Sequence, residues 1–96
     1  GGQIVAGREN ARWVVKILME HPELEYACDT EVADIDLKVH GPVGNGRVIC
    51  LSVYAGETLD CGEGPGKMLW IDNMGEAEGT LEEFREFFES PRHKKV

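Results

Sequence analysis

Two carboxylates one residue apart, Asp29 and Glu31, close the run Glu25-Tyr26-Ala27-Cys28 without a break. On a β-strand the side-chain period of two puts both acids on one face and Thr30 on the other. Paired acids at the end of a buried strand repel each other, and a cation between them relieves the repulsion. Magnesium or manganese suits such a pair, because both ions take hard oxygen ligands. The chemistry indicated is one half of a metal-dependent nuclease site. Glu23/Glu25, Asp34/Asp36 and Glu76/Glu78 share the spacing, but only Asp29/Glu31 caps an apolar run. The competing reading is a solvated strand end.

The elements that position this pair follow from pattern. Gly1 to Gly7 reads as a flexible lead-in, with residues 9–96 as the folded part. Asn10 is a candidate N-cap for a helix through Glu20, which His21-Pro22 ends because proline disfavours helix in the preceding residue. A strand follows from Glu25 to Glu31 or slightly beyond, and residues 32–39 alternate acids with apolars, Asp34 and Asp36 reading as a solvated face. Residues 41–46 are a turn by composition. Arg47 to Ala55 is a strand whose near-continuous apolar run predicts burial on both faces. A glycine-rich turn over 56–66 leads to a third strand, Lys67–Asn73. Thr80 and Glu83 have capping-box spacing before a helix over 81–90 that carries Leu81, Phe84, Phe87 and Phe88 and stops at Pro91. Lys94-Lys95-Val96 reads as the approach to a fourth strand that does not arrive. The expectation is an α+β chain: an N-terminal helix, a three-stranded antiparallel meander and one covering helix.

Composition narrows the function. A formal charge of −8 on 96 residues disfavours unaided binding to phosphate backbones and suits a site that gathers divalent cations. Three cysteines, widely spaced and without a CxxC, point to a reduced compartment and away from structural zinc. No segment is long and apolar enough to cross a membrane, and no targeting segment is visible. The chain has no initiator Met, which reads as a processed product or an excised segment. Gly62-Glu63-Gly64-Pro65-Gly66-Lys67 lacks the ending of a phosphate loop and opens a strand, so it reads as a turn. Trp13, Trp70, Tyr26 and Tyr54 read as core, His21, His40 and His93 as surface, and Arg92 to Lys95 as a solvated cluster.

Ala27-Cys28-Asp29-Thr30-Glu31 followed by Ile35 resembles the first motif of the 3′→5′ proofreading exonuclease domain of family A DNA polymerases, the DEDD exonucleases. The likeness is greatest to the plant organellar polymerases, in the stretch Ala27 to Asp36 and in the Leu81-Glu82-Glu83-Phe84 helix, and it covers roughly Leu24 to Val96. It implies a ribonuclease-H-like half-domain and a two-metal hydrolysis in which Asp29 and Glu31 are catalytic metal ligands for magnesium or manganese. It also implies that Val32, through its backbone, and Ile35, through its side chain, lie against the terminal nucleotide. The partners implied are a DNA 3′ end and the polymerase domain of a parent chain, in mitochondrion or plastid.

The family pattern then requires a second motif with an aspartate and a third with a tyrosine or histidine base and a last aspartate. Both fall beyond Val96, so the isolated chain is expected to show little or no catalysis. A rival reading makes the chain a non-catalytic interaction module. An exposed sheet edge where a fourth strand should pair would then drive self-association.

Overall fold

The computed structural model describes the backbone of residues 1–33 and 47–96 and the side chains of residues 1–29 and 51–96. Five strands form one mixed sheet: β1 (Gly2–Ala6), β2 (Glu25–Ala33), β3 (Arg47–Tyr54), β4 (Met68–Asp72) and β5 (Lys94–Lys95), in the order β1-β4-β3-β2-β5. The meander β2-β3-β4 is antiparallel throughout, as the sequence pattern predicts. β1 joins β4 in parallel and β5 joins β2 in parallel, so the sheet has five strands rather than three. Helix α1 (Arg8–Met19), the 3₁₀ turns Gly75–Ala77 and Leu81–Phe84, and helix α2 (Arg85–Glu89) are the other elements among the described residues.

Gly1 to Gly7 is therefore no lead-in. Gln3 and Val5 alternate inward, and the Gln3 amide Nε2 donates to the Cys61 carbonyl at 2.8 Å while its Oε1 accepts from the Glu63 amide at 3.3 Å. That bond pair fixes β1 and the 60–63 loop together. Gly7, at φ 99°, turns β1 into α1, a conformation that favours glycine. The helix accordingly starts at Arg8, and Asn10 lies inside its first turn rather than at its cap.

α1 lays Ala11, Val14, Val15 and Leu18 on one face of the sheet, with Phe84 and Phe87 beside them. From the sheet, Val5, Tyr26, Leu51, Val53, Leu69 and Ile71 point into the same core. The carbonyls at the end of α1 are closed by side chains from later elements. Tyr26 Oη donates to Leu18 O at 3.2 Å and His21 O at 2.7 Å, and His93 Nε2 donates to Met19 O at 3.1 Å. A helix C-terminus leaves its last carbonyls without intrahelical partners; here Leu18 O also receives the His21 amide, and the His93 ring supplies a partner for Met19 O. His93 is thus buried, 2% exposed, against its reading as a surface residue. His40 lies outside the described residues.

β5 is only two residues long, yet it is well held. Lys95 Nζ donates to Phe87 O at 3.0 Å and Ser90 O at 2.7 Å, and Val96 N donates to Tyr26 O at 2.8 Å. The capping box does not form. Thr80 has helical dihedrals, its hydroxyl donates to Ala77 O, and the same oxygen accepts the Gly7 amide. Asn73 Oδ1 takes over, accepting the amides of Gly79 and Leu81 at 3.0 Å each. Glu83 turns instead to Arg8 at 2.7 Å and Arg12 at 3.0 Å.

Candidate metal half-site at the end of the second strand

Alternation along β2 points Tyr26 into the core and leaves Glu25, Ala27 and Asp29 exposed on the opposite face. Asp29 sits opposite Ser52 of β3, and Glu31 stands two register positions further on, opposite Cys50. The pairing shifts register between Glu31 and Val32. Such irregularities bend a strand and re-aim the residues beside them. Here the bend falls directly after the paired acids, where the resemblance brings the backbone of Val32 toward a nucleotide. Ile35, Asp34 and Asp36 lie outside the described residues.

β1, β4, β2 and β5 all run in one direction, so Glu31 and Asp72 stand in one row toward the carboxyl-terminal edge of the sheet, with Asp29 one row nearer its middle, opposite Ser52 and level with Trp70. Asp72 does not join the pair. It is paired with Cys50, which is in turn paired with Glu31, so two strand spacings, about 10 Å, separate it from Glu31. Its Oδ1 accepts the Met74 amide at 2.9 Å. Among the described residues no three His, Cys, Asp or Glu side chains converge. The donor set that β2 offers is two hard carboxylates from one strand, which fits magnesium or manganese but leaves most of an ion's coordination to other groups.

The remaining reactive side chains serve the fold. His21 Nδ1 lies 2.8 Å from Glu23 Oε2, and that contact holds the Glu23 carboxyl below its usual range. His93 Nδ1 accepts from Ser90 Oγ at 2.6 Å. Burial pushes the Cys61 thiol up to about 11 and raises Cys28 as well, so neither is poised as a thiolate. Burial likewise lifts the Tyr26 phenol to about 12. Trp13 and Trp70, read from the sequence as core, are 52% and 44% exposed. The alternation Leu69-Trp70-Ile71 carried that signal, because Trp70 occupies the outward position between two buried neighbours.

The geometry defines an α+β sheet domain with two acids on alternate positions of an inner strand, and the chain is similar to a segment of plant organellar DNA polymerases. It is 44% identical over 97 residues to the mitochondrial DNA polymerase I B of Oryza sativa subsp. japonica, covering 97% of this chain and 9% of that protein. With the chloroplastic/mitochondrial DNA polymerase I B of Arabidopsis thaliana it shares 41% identity over 96 residues, covering 98% and 9%. The chloroplastic DNA polymerase I A of Oryza sativa subsp. japonica is 43% identical over 97 residues. The chain thus spans about a tenth of the length of the curated relatives it matches. No family model and no solved structure matches it.

Proposed function

We propose that the chain is the opening part of a 3′→5′ proofreading exonuclease domain in an organellar DNA polymerase, with Asp29 and Glu31 as half of its metal site. The observation that carries this reading is the placement of the two acids. They occupy alternate positions of the inner strand β2, at its carboxyl-terminal half, with Asp29 on the exposed face and a register shift directly behind Glu31. A strand bearing the two acids, followed by two antiparallel strands and then a helix, is the order that the resemblance to the exonucleases implies. The relatives' names, all DNA polymerases I of mitochondrion or chloroplast, support an organellar polymerase parent and DNA as the partner.

Bound magnesium or manganese would supply an activated water and charge stabilisation at the scissile phosphate. This chain's own part is to hold Asp29 and Glu31 at fixed separation on a strand paired with β3, and to present the backbone at Val32 and the side chain of Ile35 to the terminal nucleotide. The remaining ligands and the base would come from the parent polymerase outside these residues, so the isolated chain is expected to be inactive or nearly so.

Manganese titration followed by calorimetry or paramagnetic NMR broadening tests the half-site. The wild-type chain should bind saturably and weakly, and the Asp29→Ala, Glu31→Ala double variant should lose that binding. Equal binding by both proteins would make the acids an ordinary solvated pair. The interaction-module reading has less support, because β5 already pairs with the start of β2 and Cys28 N donates to Val96 O.

A further inference from the structure

The two edges of the sheet are built differently. At one, β5 is two residues long and both are lysines; a short edge strand bearing lysine discourages pairing with another chain. At the other, β1 runs for five residues, Gly-Gln-Ile-Val-Ala, without a charge, a proline or a register shift. Among the described residues, none pairs with its outer side. Which backbone groups stand open there follows from the pairing with β4. Met68 N donates to Gly1 O at the start of the parallel ladder, so Gln3 and Val5 also turn their amides and carbonyls toward β4. Backbone groups alternate along a strand, and those of Gly2, Ile4 and Ala6 therefore point away from the sheet.

That edge is complementary to itself. An antiparallel copy of β1 centred on Ile4 sets the two Ile4 residues against each other and Gly2 of each copy against Ala6 of the other. Every residue with open groups then meets another with open groups, and each such pair exchanges two amide–carbonyl bonds. A slip of one residue would set open groups against residues already bonded to β4. Ile4, 67% exposed, and its cross-strand partner Trp70, 44% exposed, lie on one face. Pairing brings the two isoleucines side by side, flanked by the two indoles, and such cross-strand apolar contacts stabilise a sheet. The two-fold arrangement closes on itself, so it ends at two copies. The strand carries no charge, and the repulsion between two chains of net −8 is screened by salt.

We infer that β1 is a dimer edge, at which two copies of the chain pair antiparallel through Gly2, Ile4 and Ala6 and join their five-stranded sheets into one. One short strand per copy is far less than a stable interface uses, so the dimer is weak and fills only at high concentration. β4 and β3 separate this edge from Asp29 and Glu31, so the inference does not depend on the exonuclease reading. Manganese binding at the two acids reports on that reading separately.

The test is sedimentation equilibrium of the 96-residue chain from micromolar to millimolar concentration, at low and high salt, with amide exchange by NMR on the same samples. The inference predicts a monomer–dimer equilibrium that strengthens with salt. The Ile4 and Ala6 amides should become several-fold better protected as concentration rises, while those of Gln3 and Val5 are protected throughout. Ile4→Lys should weaken the dimer several-fold, and Ile4→Pro, which removes an amide that β4 does not use, should abolish it. Protection of the Val5 amide shows that each variant still folds. A chain that stays monomeric at millimolar concentration would overturn the inference. So would a dimer that survives Ile4→Pro, or one in which the Ile4 and Ala6 amides stay unprotected, as pairing through β5 or through side chains alone would leave them.

Discussion

Asp29 shows how a single residue's place in a strand decides what it can do. Tyr26, three positions earlier, points into the core and spends its hydroxyl on the Leu18 and His21 carbonyls, while Asp29 is exposed on the far face. The same strand therefore anchors the fold with one residue and offers an acid with another. Tyr26→Phe keeps the buried ring and removes the phenol's hydrogen bonds to the Leu18 and His21 carbonyls, each of which keeps a backbone amide partner. It should cost about 1 kcal/mol, the net worth of such hydrogen bonds. For a domain of this size that is a fall of roughly 4–8 °C in melting temperature. Thermal unfolding by circular dichroism reads it, and an unchanged midpoint would mean that water replaces the phenol without loss.

Between elements, the contact that the sequence misstates most is that of Glu83. Its spacing from Thr80 suggests a capping box, but the carboxylate reaches across to Arg8 and Arg12 and ties the 3₁₀ turn Leu81–Phe84 to the start of α1. The hydrogen bond from Arg8, then that from Arg12, holds the Glu83 carboxyl below its usual range. A folded-state value lowered in this way contributes stability above the unfolded-state value and loses it as pH falls through the folded one. Glu83→Gln should therefore unfold slightly more easily than wild type at pH 7. The difference should close as the pH drops below the ordinary carboxylate value of 4.5. The pair is close to solvent, so the effect should be small and should shrink in high salt. Urea midpoints at pH 7 and pH 3 measure it, and a gap that persists at pH 3 would assign the loss to packing instead.

At the scale of the whole molecule, the local elements were legible in the sequence and the long-range ones were not. β2, β3 and β4 could be read because each is an apolar run between turn residues. β1 could not, because Gln-Ile-Val between glycines looks like a lead-in until Met68–Asp72, more than sixty residues away, supplies its partner. β5 was hidden for the same reason: two lysines make a strand only when β2 lies alongside and the carbonyls of Phe87 and Ser90 receive Lys95. The burial of His93 depends on the end of α1, again a distant element. The spacing of Asp29 and Glu31 was visible in the sequence, but their positions opposite Ser52 and Cys50 needed the pairing with β3.

The most direct measurement of the proposed role is a 3′→5′ exonuclease assay on mismatched primer ends, using the rice mitochondrial relative with residues 1–96 grafted in place of its matched segment. With magnesium or manganese the graft should remove the mismatched nucleotide, and Asp29→Ala with Glu31→Ala should abolish removal while leaving primer extension intact. Undiminished excision by the double variant would contradict the assignment of the strand end as half of the metal site.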